Sequence, residues 1–294
     1  MNNSEAVYLN ALKEIIEYGD SRPDRTGIGT KSMFGVNLRF DLKEGFPAVT
    51  TKKLAWRAVT SELLWFIEGS NDEYRLREIL HGHRRSAKRT IWTDNAEAPY
   101  WVDRKIQRHA GDLGRIYGVQ WRRWRKPVIR INKVVLQNLD QLTQLIEGIK
   151  EDPYSRRHIL TAWNPGEIEI MALPPCHMFS QFYVNNGKLS CQMYQRSADM
   201  FLGMPFNIAS YALFTHMVAQ VCELEVDELI INIGDAHIYN NHMEQVQEQL
   251  TRTAFDMPIL RLNPEIMKIT EFSMDDINLV DYQSHEALSA EMAV

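Results

Sequence analysis

Met178-Phe179-Ser180-Gln181-Phe182-Tyr183-Val184 and Lys188-Leu189-Ser190-Cys191-Gln192-Met193-Tyr194-Gln195 are two strand-like runs joined by Asn185-Asn186-Gly187. Asn and Gly tolerate the positive φ angles that a tight turn requires, so the stretch reads as a β-hairpin. Outward from it, His158 to Trp163 reads as another strand, Asn207 to Glu223 as a core helix, Leu229 to Ile233 as a strand and Tyr239 to Leu250 as a helix. Upstream, Val135, Leu139, Leu142, Leu145, Ile146 and Ile149 stand at helical spacing and predict a long amphipathic helix ended by Pro153. Residues 81–130 read as irregular and locally basic. Trp56 to Glu68 reads as a mostly buried helix. Residues 5–17 predict an amphipathic helix stopped by Gly19, and Met33 to Phe40 an alternating strand fed by the loop Asp24-Arg25-Thr26-Gly27-Ile28-Gly29-Thr30. Hairpins mixed with helices, without strict βαβ alternation, predict an α/β fold of the α+β type: a mixed β-sheet covered by helices.

The chain has 294 residues, long enough to bury a full core without metal or disulfide staples. With no internal repeat or low-complexity linker, residues 1–294 read as one domain. Its 33 Lys+Arg and 38 Asp+Glu leave a net charge of −5, a poor balance for general DNA binding. Charged residues make up 24% and hydrophobic residues 45%, which excludes disordered and fibrous classes. Cys176, Cys191 and Cys222 form no CxxC and are odd in number, so neither a disulfide framework nor a zinc site is indicated. No signal peptide is recognised, and the most apolar stretch, Ile208 to Val226, is interrupted by His216, Gln220 and Glu223. These features predict a soluble, cytoplasmic protein.

Several residues carry candidate chemistry. In Leu173-Pro174-Pro175-Cys176-His177 two prolines fix the approach to a thiol just before a strand. Cys176 reads as a nucleophile, whose thiolate fraction rises beside cations, or else as a buried structural thiol. Cys191 and Cys222 read as structural. Arg25, Arg156, Arg157 and Arg196 are loop or strand-end cations whose guanidinium forks suit a phosphate dianion, or else are solvated charges. Glu62 interrupts an apolar helix; buried, it would have a raised pKa suited to proton transfer, and exposed it would be ordinary. Asn207 is by default a helix N-cap, alternatively a reader of a base edge. His237 and Tyr239 alternate onto one strand face, for a sugar hydroxyl or for the core. His237 and His242 miss the i,i+4 spacing of paired metal ligands, so no metal is predicted. Gly27-Ile28-Gly29 lacks the third glycine of a dinucleotide fingerprint, and no Gly-x-Ser-x-Gly elbow occurs. The basic stretches 84–89 and 122–126 read as solvated loops before RNA-binding ones.

Together, the Asp24-Arg25-Thr26-Gly27 loop, Phe46-Pro47-Ala48-Val49-Thr50-Thr51-Lys52-Lys53, Leu173–His177, Gln195-Arg196-Ser197-Ala198-Asp199, Phe201 to Tyr211 and the terminal Met292-Ala293-Val294 resemble the thymidylate synthase family over nearly the whole chain. The resemblance implies a homodimer packed sheet to sheet, with dUMP and 5,10-methylenetetrahydrofolate as ligands. It implies that Cys176 attacks C6 of uracil, and that Arg25, Arg196 and Ser197, with Arg156 and Arg157 from the partner subunit, hold the phosphate. Asn207 then reads O4 and N3, which favours uracil over cytosine, while His237 and Tyr239 hold the ribose 3′-hydroxyl. Glu62 organises water and moves protons. Tyr117 and His177 lie near the nucleophile and Gln195 near the nucleotide. Asp199 bonds the pterin. Ile91, Trp92, Leu173, Gly203 and Phe206 contact folate, and Ala293 and Val294 close over it. Asn95, Arg115, Ala236 and Ser284-His285-Glu286 depart from the commonest family pattern. The activity implied is reductive methylation of dUMP to dTMP. The rival readings are a hydroxymethylase giving 5-hydroxymethyl-dUMP and tetrahydrofolate, and an RNA-binding regulator of the same fold.

Overall fold

A computed structural model describes residues 3–131 and 133–292. The chain opens with α1 (Asn3–Tyr18), whose Tyr8, Leu12 and Ile15 are fully buried, then β1 (Asp20–Arg22) and the long β2 (Thr30–Asp41). Helix α2 (Trp56–Glu68) is apolar nearly all round and ends at Gly69, whose left-handed φ of 72° lets its N–H reach back to Phe66 O. Three short helices follow α3 (Glu73–His81): α4 (Thr93–Glu97), α5 (Pro99–Val102) and α6 (Tyr117–Arg123). A hairpin of β3 (Trp124–Arg130) and β4 (Lys133–Leu139) leads into α7 (Gln141–Glu151). Next come β5 (Ile159–Thr161), β6 (His177–Asn185), β7 (Lys188–Asp199), α8 (Gly203–Val221), β8 (Glu225–Tyr239) and α9 (Met243–Thr251). A small pair, β9 (Ile259–Leu262) and β10 (Ile277–Val280), completes the elements.

The main sheet has the order β1-β2-β8-β7-β6-β5. Its neighbours are antiparallel except β7 and β8, which run parallel, so the sheet is mixed as the sequence predicts. Parallel neighbours need a crossover, and α8 supplies it. Ala209, Leu213, Phe214, Met217 and Val218 of α8 are all inaccessible, so this helix is surrounded by protein on every side. Helices α1 and α8 pack on one face of the sheet. On the other face Ile159, Phe179 and Tyr183 stand exposed. The Asn185–Lys188 turn is the tight one predicted, with φ of 49° at Asn186 and 73° at Gly187.

Three sequence expectations are corrected. The helix predicted from Val135 to Ile149 begins only at Gln141, because Asp140 caps it by accepting from Thr143 N at 3.0 Å. Val135 and Leu139 belong instead to β4, whose Val134-Val135 pair suits an extended chain. The segment 81–130, read as irregular, contains α4, α5, α6 and β3. Tyr239 ends a strand, and α9 starts at Met243 after a single 3₁₀ turn.

Candidate active site

Two strand ends and the loop before β6 bring the predicted residues together. The β7–β8 register sets Ser197 opposite Asp235 and Asp199 opposite His237. Antiparallel pairing with β2 sets Thr30 opposite Tyr239. That places the Asp24–Thr30 loop beside His237 and Tyr239. The carboxylate of Asp24 organises this loop by accepting from the Thr26 hydroxyl at 2.5 Å, Gly29 N at 2.7 Å and Thr26 N at 2.8 Å, and these bonds, the hydroxyl's first, hold its pKa below the ordinary value. Arg25 projects exposed from it, close enough to Tyr239 to oppose the rise that burial imposes on that phenol.

Cys176 is half-buried, and its surroundings are built around Arg196. The guanidinium donates to Pro175 O and Pro174 O, both at 2.9 Å, and its Nη2 lies 3.8 Å from the Cys176 sulfur. Arg196 N also donates to Cys176 O at 2.8 Å. The two proline carbonyls are thus held by the Arg196 side chain. Burial pushes the thiol's pKa up and the Arg196 charge pulls it back. Trp163 lies under the guanidinium, 5.6 Å from ring centroid to Cζ.

Cys176 N donates to the Tyr117 hydroxyl at 2.7 Å. The Tyr117 ring stacks on His177 at 4.1 Å, and His177 Nδ1 pairs with the Tyr211 hydroxyl at 2.9 Å. Burial drives the His177 pKa down to about 3, so the ring is a neutral spacer and not an acid. Glu62 is buried on α2, and its Oε1 accepts from the Trp92 indole at 2.6 Å. Burial lifts its pKa to about 7, where a carboxyl can both give and take a proton. The default reading of Asn207 as an N-cap is corrected: it lies inside α8, and its Oδ1 accepts from Gln195 Nε2 at 3.2 Å. Gln195 Nε2 also donates to Ser197 O, while its buried Oε1 has no partner. His237 Nδ1 lies 3.2 Å from Asp235, which also pairs with Arg22 at 2.9 Å.

Asp199 accepts from Phe201 N and Leu202 N, turning the chain into α8 at Gly203. Phe206 lines a cavity of about 180 Å³ with Lys52, Lys53, Leu202 and Pro205. Lys52 donates to Phe201 O, and burial lowers its pKa to about 8. Ile91 is exposed beside Trp92, and Leu173 is half-buried before the two prolines. Of the departures, Asn95 donates to the Tyr100 hydroxyl at 3.2 Å, which itself donates to Ala172 O at 3.0 Å, just before Leu173. The tail lies along the same region: His285 N donates to Thr50 O, Arg252 donates to Glu286 O, and Glu291 O pairs with His242 at 2.7 Å. Ala293 and Val294 fall outside the described residues.

Arg156 and Arg157 are not brought to this cluster; both lie exposed on the loop between α7 and β5. Cys191 and Cys222 are buried and structural. The basic stretches are partly neutralised within the chain by the pairs Arg84–Asp72, Arg89–Asp94, Arg122–Asp140 and Arg125–Glu167. Among the described residues no His, Cys, Asp or Glu group is arranged to hold a metal, and no helix is long and apolar enough to cross a membrane. Sequence reasoning missed Asp235, Tyr211, Lys52 and Trp163. Asp235 stands two residues before His237 on one strand, and Tyr211 four after Asn207 on one helix, spacings that share a face. Lys52 and Trp163 gave no such signal.

A family model described as thymidylate synthase matches residues 6–294, which is essentially the whole described chain and includes every element that builds the cluster. That family binds dUMP and uses methylenetetrahydrofolate as co-substrate in one-carbon transfer. Fold, cluster and full-length match agree, and the chain belongs to the thymidylate synthase family.

Proposed function

We propose that this chain converts dUMP and 5,10-methylenetetrahydrofolate to dTMP and dihydrofolate. The Cys176 thiolate, favoured by Arg196, adds to C6 of the uracil ring and makes C5 nucleophilic. C5 then takes the methylene group from folate. Loss of the C5 proton and elimination of tetrahydrofolate leave an exocyclic methylene, which accepts a hydride from that tetrahydrofolate; expulsion of Cys176 frees dTMP. Asn207, held by Gln195, donates to uracil O4 and accepts from N3–H, a pattern that cytosine reverses. Asp235 accepts from His237 Nδ1–H, leaving Nε2 to accept the 3′-hydroxyl beside Tyr239. Arg25, Arg196 and Ser197 hold the phosphate. Ile91, Trp92, Leu173, Gly203 and Phe206 line the folate side, with Asp199 bonding the pterin and Ala293 and Val294 closing over it.

Arg156 and Arg157 complete the phosphate clamp from a second subunit, docked on the sheet face that exposes Ile159, Phe179 and Tyr183. Support for this comes from their position: both arginines precede β5, at the edge of that face.

The observation that carries the reductive outcome is the 2.6 Å bond from Trp92 to Glu62. It pins an indole that is only 5% exposed beside the proton-transfer group and keeps bulk water from the methylene. The Asn95–Tyr100–Ala172 chain ties α4 and α5 to the residue before Leu173 on the folate side. Mass spectrometry of both products after incubation with dUMP and methylenetetrahydrofolate tests the reading. Thymidylate with dihydrofolate is the expected result. 5-Hydroxymethyl-dUMP with tetrahydrofolate would replace it with a hydroxymethylase, and RNA binding without turnover would replace it with a regulator.

A further inference from the structure

A second cation cluster lies behind α6, on the far side from Cys176. Tyr117 points to the nucleophile loop, whereas Val119 and Arg123, two and six residues further on, are turned about 200° and 240° from it around the helix. Both line a separate cavity of about 490 Å³ together with Arg108, Arg115 and Arg125. Four arginines therefore line one space. Asp112, in its wall, is already engaged by Asn71 Nδ2, Arg108 N and Gly114 N. Arg115 and Arg125 share the single carboxylate of Glu167, at 2.5 and 3.1 Å. Arg108 and Arg123 form no ion pair among the described residues; Arg123 donates to Gly69 O at 2.6 Å. Arg115, only 13% exposed, sits near enough to Arg123 and Arg125 that their charges help burial depress its pKa. Cations gathered in this way repel one another unless an anion joins them.

We infer that this cavity binds a phosphoryl anion carrying more than one negative charge, at a site separate from the nucleotide clamp. Four arginines in one lining, with the Asn138 amide among them, suit the oxygens of a di- or triphosphate better than a monoanion. The site is mechanically joined to the nucleophile loop. Arg115 N donates to Ile170 O and Ala172 N to Leu113 O, so the cavity wall and the approach to Cys176 are one paired strip. Gly114 permits that close pairing: its φ is 75°, and a Cβ there would collide with the Ile170 carbonyl.

The test is calorimetric titration of the full chain with inorganic pyrophosphate, and separately with a nucleoside triphosphate, at constant ionic strength. Saturable one-to-one binding is expected, at least tenfold weaker in the Arg108→Gln/Arg123→Gln double variant and unchanged in the Arg104→Gln surface control. Saturating dUMP leaves it intact. Tighter binding of the nucleotide would identify a nucleotide as the source of the anion, and tighter pyrophosphate a free one. No saturable binding, equal binding by the double variant, or displacement by dUMP would each overturn the inference. Turnover of dUMP by the double variant separates its failure from a failure of the catalytic reading.

Discussion

Replacing Glu62 by Gln should make the protein more stable, and only above the ordinary carboxylate range. Glu62 is 5% exposed, and burial raises its pKa from 4.5 to about 7 in the folded chain. Below 4.5 the group is protonated whether the chain is folded or not, and it costs nothing. Between those values unfolding releases a proton, so stability falls as pH rises and levels off above about 7. At about 1.4 kcal/mol per pH unit the full interval is worth roughly 3.4 kcal/mol, of which roughly 2.5 kcal/mol falls between pH 5 and pH 8. Glutamine keeps an oxygen for the Trp92 indole but carries no charge, so the variant escapes this loss. Urea unfolding of both proteins at pH 5 and pH 8 reads it directly: the stability gap should widen by ~2.5 kcal/mol in favour of the variant at pH 8. Gaps equal within ~0.5 kcal/mol at the two pH values would show that Glu62 is not a desolvated carboxyl, and its role in proton transfer would fall with it. Turnover must drop in the same variant even as the fold gains.

Arg196→Lys loses the fork that spans Pro174 O and Pro175 O and weakens the charge at the thiol; alkylation of Cys176 by iodoacetamide at pH 7.5 should slow about tenfold. An unchanged rate would mean that Arg196 does not tune the nucleophile. Asp235→Asn leaves His237 without its carboxylate; the KM for dUMP should rise roughly tenfold, the worth of one charge-assisted bond, with kcat little changed. Steady-state kinetics showing a kcat loss at constant KM would contradict the assignment to ribose. Asp140→Ala removes the cap of α7 and the partner of Arg122, and thermal or urea unfolding should show a loss of about 1–2 kcal/mol. Stability within ~0.3 kcal/mol of the parent would mean that α7 is held by packing alone.

Much of the sheet was legible because local chemistry and tertiary need coincide. Asn185-Asn186-Gly187 can hardly be anything but a turn, and α2 matched its predicted bounds of Trp56 and Glu68 because its apolar run is bounded by Gly69. The failure at Val135–Leu139 came from periodicity alone: apolar residues four apart fit a helix and also fit one edge of a twisted hairpin. Only the Asp140 cap marks the true start. Cys176 was legible through its prolines, and a nearby arginine was expected as its cation; the way Arg196 is held there was not legible, since it reaches across the β6–β7 pair and touches carbonyls that leave no trace in side-chain identity. The state of Glu62 likewise depended on its burial, which the sequence left open, with Trp92, 30 residues away, donating to it. The counter-charges of the basic loops, among them Asp140 and Glu167, lie far enough along the chain that those stretches read as bare.

The pairing of β2 with β8 also sets a timetable. Thr30 waits for Tyr239, more than two hundred positions later, before the centre of the sheet can close. At ~5–20 residues per second of synthesis, that delay is roughly 10–40 s, during which an emerged β2 has no strand beside it but the three residues of β1. Cys176 and Arg196 can meet much earlier, within the β6–β7 hairpin. The residues of the thiol–guanidinium pair therefore enter the growing chain before it has anywhere to seat a ribose, and the C-terminal third of translation supplies what makes the site selective.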